Sequence, residues 1–182
     1  MKTNRNRIFP YETGWPAAWR GRPPHLTDQE RALAYWWLDH NARADAKVWY
    51  DVRIDGVPDS RAETVTGDNQ DDTMMRRIWQ SLNAKRADLI ILQDDRYQIV
   101  ELRASAGAQT LGELVQYTAL ARAEWPDLIW LPTQLVTTHV ATATARAMEI
   151  AGFRIALAPA SALYLARPDP RDPLGDGVGR VK

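Results

Sequence analysis

Along this 182-residue chain the spacing of apolar positions changes period several times, and each change marks an element. "LTDQERALAYWWLDHNA" carries Leu33, Trp36, Trp37 and His40 at the three-to-four residue step of a helix. Thr27 and Glu30 at its start form a capping box. "AKVWYDVRID" alternates like a half-buried strand and stops at Asp55-Gly56. Helical spacing returns in "DNQDDTMMRRIWQSLNAK", with Asp68 or Asn69 as cap and Met74, Ile78 and Leu82 at four-residue steps. "RADLIILQDDRYQIVELRASAG", residues 86–107, reads as two apolar strands around an Asp94-Asp95 turn. "QTLGELVQYTALARAEW" is an amphipathic helix that buries Leu111, Leu114 and Val115 and ends before Pro126. After it, "DLIWLPTQLV" predicts a strand and "THVATATARAMEIAG" a helix closed by Gly152, while "FRIALA" and "ALYLA" predict the last strands. The order α-β-α-β-β-α-β-α-β-β predicts an α/β domain over residues 26–166, a mixed central sheet flanked by helices.

The two ends break this rhythm. Residues 1–25 hold four prolines and no period, yet include Phe9, Tyr11, Trp15 and Trp19, too aromatic for a simple disordered tail. An extended arm that docks these rings on a neighbouring subunit explains both features, and so does an arm folded back over its own core. Residues 167–182, with three prolines and three glycines, predict a second extended tail.

Composition narrows the setting. Hydrophobic residues make up 45% and charged residues 25%, ordinary for a globular domain. No apolar run has the length of a bilayer span, and the N-terminus lacks a signal-peptide core, so the expected location is intracellular (host cytoplasm) or a virion. With no cysteine, neither disulfides nor a Cys-based zinc site can form. His25, His40 and His139 are scattered and predict no histidine metal site, and "GDGVG" lacks the flanking strand and helix of a phosphate loop. The chain is neutral, but residues 1–25 carry +4 and residues 167–182 carry +1, which leaves −5 on residues 26–166. Such a body does not offer a broad basic face to duplex DNA.

The hairpin raises the chemical question. A turn at Asp94-Asp95 sets Ile91 opposite Gln98, Leu89 opposite Val100, and Asp88 opposite Glu101. Directly opposed side chains have Cβ atoms about 5 Å apart, and like charges there are destabilising. A cation must lie between the two acids, or one acid must hold a proton. Strand alternation puts Arg103 on the same face as Glu101. The cation is then either a metal ion or Arg103 itself.

Asp88 on one strand, "VELR" with Glu101 on the next, and a following helix bearing "GELVQY" resemble the PD-(D/E)xK nuclease superfamily. The resemblance covers roughly residues 46–157 and is strongest over 86–124. It implies a restriction-endonuclease-like core in which Asp88 and Glu101 hold Mg2+ or Mn2+ and the side chain at 103 attends the attacking water. It also implies a Gln-x-x-x-Tyr motif on the helix. Here Glu113 stands in the Gln position, with Tyr117 four residues later and Gln116 beside it, and Glu30 is a candidate acid from the first helix. The family's Lys is replaced by Arg103, which is permanently protonated and pairs with carboxylates bidentately.

Two functions follow from the resemblance. In the first, the fold carries a degenerate metal site and serves as an assembly component, as in tailed-phage head-completion and neck proteins, docking other subunits through its arms. In the second, the chain is a Mg2+-dependent DNA endo- or exonuclease. Asp88 and Glu101 then bind metal, Arg103 stabilises the transition state, and Tyr117, Gln116 or Glu113 orients the substrate. DNA is a candidate partner in both; a membrane in neither.

Overall fold

The computed structural model describes residues 9–23, 25–54 and 85–164. The helix predicted over 68–85 (Lys85 apart) and the tail 167–182 lie outside the described residues. The expected class holds: a six-stranded mixed sheet with helices packed on it. Its strands run in chain order, β1 (Trp15–Pro16), β2 (Lys47–Arg53), β3 (Arg86–Gln93), β4 (Arg96–Ala106), β5 (Gln134–Val140) and β6 (Arg154–Leu157). The first four are antiparallel neighbours, whereas β5 and β6 run parallel to β4. Parallel neighbours need a crossover. Helix α2 (Ala108–Glu124) makes one between β4 and β5, and α3 (Thr142–Ile150) makes the other. No helix among the described residues is long and apolar enough to cross a membrane.

Local chemistry sets the elements that matter for the site. At the start of α1 (Asp28–Asn41), the Glu30 carboxylate accepts the Thr27 N–H at 2.9 Å and the Thr27 hydroxyl accepts the Glu30 N–H at 3.3 Å. That is the predicted capping box. At the β3–β4 turn, Asp94 and Asp95 have φ of 51° and 58°, the left-handed pair of a two-residue hairpin, which Asp tolerates better than most residues. Leu89 pairs with Val100 and Ile91 with Gln98, as the turn predicted.

The sheet buries a different set of side chains on each face. Leu33, Ala34, Trp37 and Leu38 of α1 cover Val48, Leu89, Ile91, Val100, Leu102 and Val136. This stripe is rotated from the predicted one, and His40 at the end of α1 is exposed with its Nδ1 2.7 Å from the Trp36 carbonyl. On the opposite face two clusters form, one around Trp49, Ile90, Ile99, Tyr117 and Trp125, the other around Leu114, Leu135, Met148 and Phe153. Helix α2 meets them with Thr110, Leu114, Tyr117 and Ala121, so Val115 stands half exposed instead of buried.

Three other expectations are corrected. The strand read at 127–136 lies at Gln134–Val140. Residues before it hang on Tyr97, whose N–H donates to the Ile129 carbonyl at 2.8 Å and whose carbonyl accepts the Leu131 N–H at 2.7 Å. Pro132 has no N–H for a ladder, and the strand resumes after it through the β-branched Val136, Thr137 and Thr138. The following helix therefore starts at Thr142, not Thr138. The described part of "ALYLA" belongs to a 3-10 turn over Ala160–Tyr164 that tucks Ala162 beneath α1, and residues 165 and 166 lie outside the described residues.

The first arm adopts the folded-back alternative over residues 9–23. Phe9 is 6% exposed and meets Trp49, Tyr97 and Trp125 edge-on, with centroids at 5.2, 5.6 and 4.7 Å. Trp15 stacks on Trp19 at 4.4 Å, Trp19 leans on Tyr50, and β1 extends the sheet beside β2. Of the four aromatic residues proposed to dock a partner, Tyr11 alone is exposed, at 82%. Phe9→Ala is expected to cost about 3 kcal/mol of stability, the usual loss for a buried ring. A denaturant midpoint unchanged by Phe9→Ala would mean that the arm contributes nothing to the core.

Candidate functional site

Five charged side chains from four elements converge around Arg103 of β4. Strand β4 supplies Glu101 and Arg103, β3 supplies Asp88, the first turn of α1 supplies Glu30, and α2 supplies Glu113. The hairpin register, continued one step past Leu89–Val100, sets Asp88 opposite Glu101. There the Asp88 carboxylate accepts the Leu102 N–H at 2.7 Å. This side chain-to-backbone bond joins the two strands beyond the last ladder pair.

Arg103 lies at the centre. Its Nη2 is 2.6 Å from Glu101 and 3.2 Å from Glu113, and its Nη1 is 3.2 Å from Glu30 and 3.5 Å from Asp88. Nη1 also donates to the Leu102 carbonyl at 3.0 Å. Glu101 is fully buried, and neither of its oxygens accepts a hydrogen bond of good geometry. Its contact with the guanidinium is therefore a charge pairing that lacks in-line alignment.

With every carboxylate ionised, four negative charges would face one positive charge. Burial resolves the excess by favouring protons. It pushes Asp88 up to about 7 against the opposing pull of Arg103 and the Leu102 N–H, and the Glu30 charge adds to the rise. Glu101 is raised well above its ordinary value by burial and then by the Asp88 charge. Burial, Glu101 and Glu113 likewise raise the phenol of Tyr117. Burial opposes the charge on Arg103, but Glu101, Asp88 and Glu113 outweigh it and raise its pKa. Both acids are thereby biased toward the protonated form, while Arg103 is held charged between them.

Mg2+ requires a near-octahedral shell of oxygens at about 2.0–2.1 Å. In this geometry the guanidinium lies against Glu101 and reaches Asp88, and one Asp88 oxygen already serves the Leu102 N–H. Among the described residues no group of three or more His, Asp or Glu side chains is arranged to hold a metal ion. The side chains as placed do not fit the metal that the motif implies.

The structure thus gathers Asp88, Glu101, Arg103 and Glu113 with Glu30, and keeps the buried Tyr117 beside them. Gln116, one residue before Tyr117 on α2, is exposed and stands apart from the cluster. Asp51 on the first long strand could border the site from the sequence alone, but its pairing was not legible there. Tyr50 pairs with Leu89 and Val52 with Ala87, so Asp51 takes the position opposite Asp88. The sheet therefore bears a row of three acids, Asp51, Asp88 and Glu101. Asp51 has φ of 54° and a buried carboxylate that accepts from Arg86 at 2.5 Å, with the His25 ring nitrogen at 3.7 Å. Each acidic end of the row has its own arginine. The signal was in the sequence: Asp51 interrupts "VWYDV" as Asp88 interrupts "ADLII".

No family model matches the chain, and no curated protein matches it. Among solved structures it is similar to a repair endonuclease from Pyrococcus abyssi at 14% sequence identity and a TM-score of 0.36. The match covers 41% of this chain and 33% of that one.

Proposed function

We propose that this chain is a nuclease-like α/β protein whose acid site is closed by its own arginine and which works as a non-catalytic assembly component. The kind of component is that of tailed-phage head-completion and neck proteins, acting in the host cell or the virion. The observation that carries this reading is the position of Arg103, within 3.5 Å of carboxylates from Glu30, Asp88, Glu101 and Glu113. A guanidinium held there neutralises the acids that a metal would otherwise need, and it cannot exchange a proton with water at neutral pH. Exposed apolar side chains on three neighbouring elements, Val115 on α2, Ile150 on α3 and Leu157 on β6, support a role in contacts with other subunits.

The test is cleavage of supercoiled and linear DNA in Mg2+ and in Mn2+, with Glu101→Ala alongside. Neither the natural chain nor the variant is expected to cut. Cleavage by the natural chain that disappears in Glu101→Ala would replace this reading with a metal-dependent nuclease. In that case Asp88 and Glu101 would be the metal ligands, and Arg103 would steady the phosphate.

A further inference from the structure

Away from the acid cluster, a cavity of about 280 Å³ opens between α2 and the segments flanking β5 and β6. On the α2 side it is lined by Val115, Thr118, Ala119 and Arg122, one stripe of the helix at steps of three, one and three. Pro132, Thr133, Gly152 and Phe153 line the opposite wall. Gly152, at φ of 84°, closes α3 and leaves open space where a side chain would begin.

The polar groups in this cavity have definite complements. The Thr118 hydroxyl donates to the Leu114 carbonyl at 2.7 Å and lies 2.6 Å from the Thr133 hydroxyl. With the single Thr118 proton so used, Thr133 donates to Thr118, and the pair offers only acceptor lone pairs to anything in the cavity. Arg122 is exposed at the mouth and makes no ion pair or hydrogen bond among the described residues. The cavity therefore presents an apolar wall, an acceptor pair and a cation that has no ion-pair partner among the described residues.

Its size limits the occupant. Pockets for small organic ligands are typically about 300–1,000 Å³, so at about 280 Å³ this one suits a small occupant, on the scale of one end residue of a chain rather than a longer segment. An occupant that satisfies both the apolar wall and Arg122 must then carry its aliphatic group and its negative charge on one residue. A chain terminus meets that condition, because its carboxylate sits on the same Cα as the side chain, and its N–H supplies the donor that the threonines lack.

We propose that this cavity captures the C-terminal residue of a partner chain, an aliphatic residue whose carboxylate pairs with Arg122. The proposal rests on the assembly reading and names the surface through which it would act. N-acetyl-L-leucine is a direct probe, titrated into the full 15N-labelled chain and followed by amide shifts. Saturable shifts are expected at Val115, Thr118 and Gly152. Affinity should fall at least tenfold for N-acetyl-L-leucinamide, which lacks the charge, for N-acetylglycine, which lacks the anchor, and in Arg122→Gln. The absence of saturable shifts would overturn the proposal, as would equal binding of the amide or equal binding by Arg122→Gln. DNA cleavage by the natural chain would defeat the assembly reading without altering this titration, so the two failures are distinguishable.

Discussion

Arg103→Ala is expected to destabilise the protein by about 3 kcal/mol at pH 8, the scale seen when one partner of a buried ion pair is removed. Arg103 is 28% exposed at its side chain, but the Glu101 carboxylate beside it is fully buried and Asp88 is 15% exposed. Without the guanidinium, these two acids face each other and Glu113 with no cation. They can escape by taking up protons, so the loss should shrink clearly at pH 5. Arg103→Lys should fall between the natural chain and Arg103→Ala, since an ammonium is a point charge and cannot fork across several carboxylates. Adding Glu101→Gln to Arg103→Ala should recover much of the stability at pH 8. Urea denaturation at the two pH values measures all of this. A loss below 1 kcal/mol at both would mean that solvent, and not Arg103, neutralises the acids.

Stability is expected to fall as pH rises from about 4 to about 7, and Asp88→Asn should make that fall clearly shallower. Asp88 is held at about 7 in the folded chain against an ordinary value of 3.8. Between those values the folded state binds more protons than the unfolded state, so raising the pH favours unfolding. The stabilisation is complete below the unfolded value and is lost as pH passes through the folded one. Glu101, also raised by burial and by the Asp88 charge, adds to the decline with the same sign. For Asp88 the difference between Asp88→Asn and the natural chain should grow by on the order of 2–4 kcal/mol across the window. The Asn carbonyl can still accept the Leu102 N–H, so the variant tests the charge and not the bond. Denaturation midpoints from pH 4 to pH 9 supply the comparison. A difference that stays constant over that range would show that Asp88 titrates as an ordinary surface acid.

These effects trace to features of different range along the chain. The capping box at Thr27 and Glu30, the left-handed Asp94-Asp95 turn, and the pairing of Asp88 against Glu101 were readable from residues a few positions apart. Such features depend on backbone dihedrals, nearby hydrogen bonds and the two-residue period of a strand, and neighbours suffice to set them. The α/β class followed from the same periods. Exposure of Val115, displacement of β5 beyond Pro132, and the folding of Phe9 and Trp19 onto the sheet were decided by packing between distant segments. So was the placement of Arg103 among the acids. Sequence alone determined that Asp88 and Glu101 needed a cation and offered Arg103 or a metal. The tertiary structure placed Glu30 against Arg103 from 73 residues away, aimed the guanidinium into the acids, and matched Asp51 with Arg86. Charge compensation acts through space, so its partners are settled only once the strands and helices that carry them have packed.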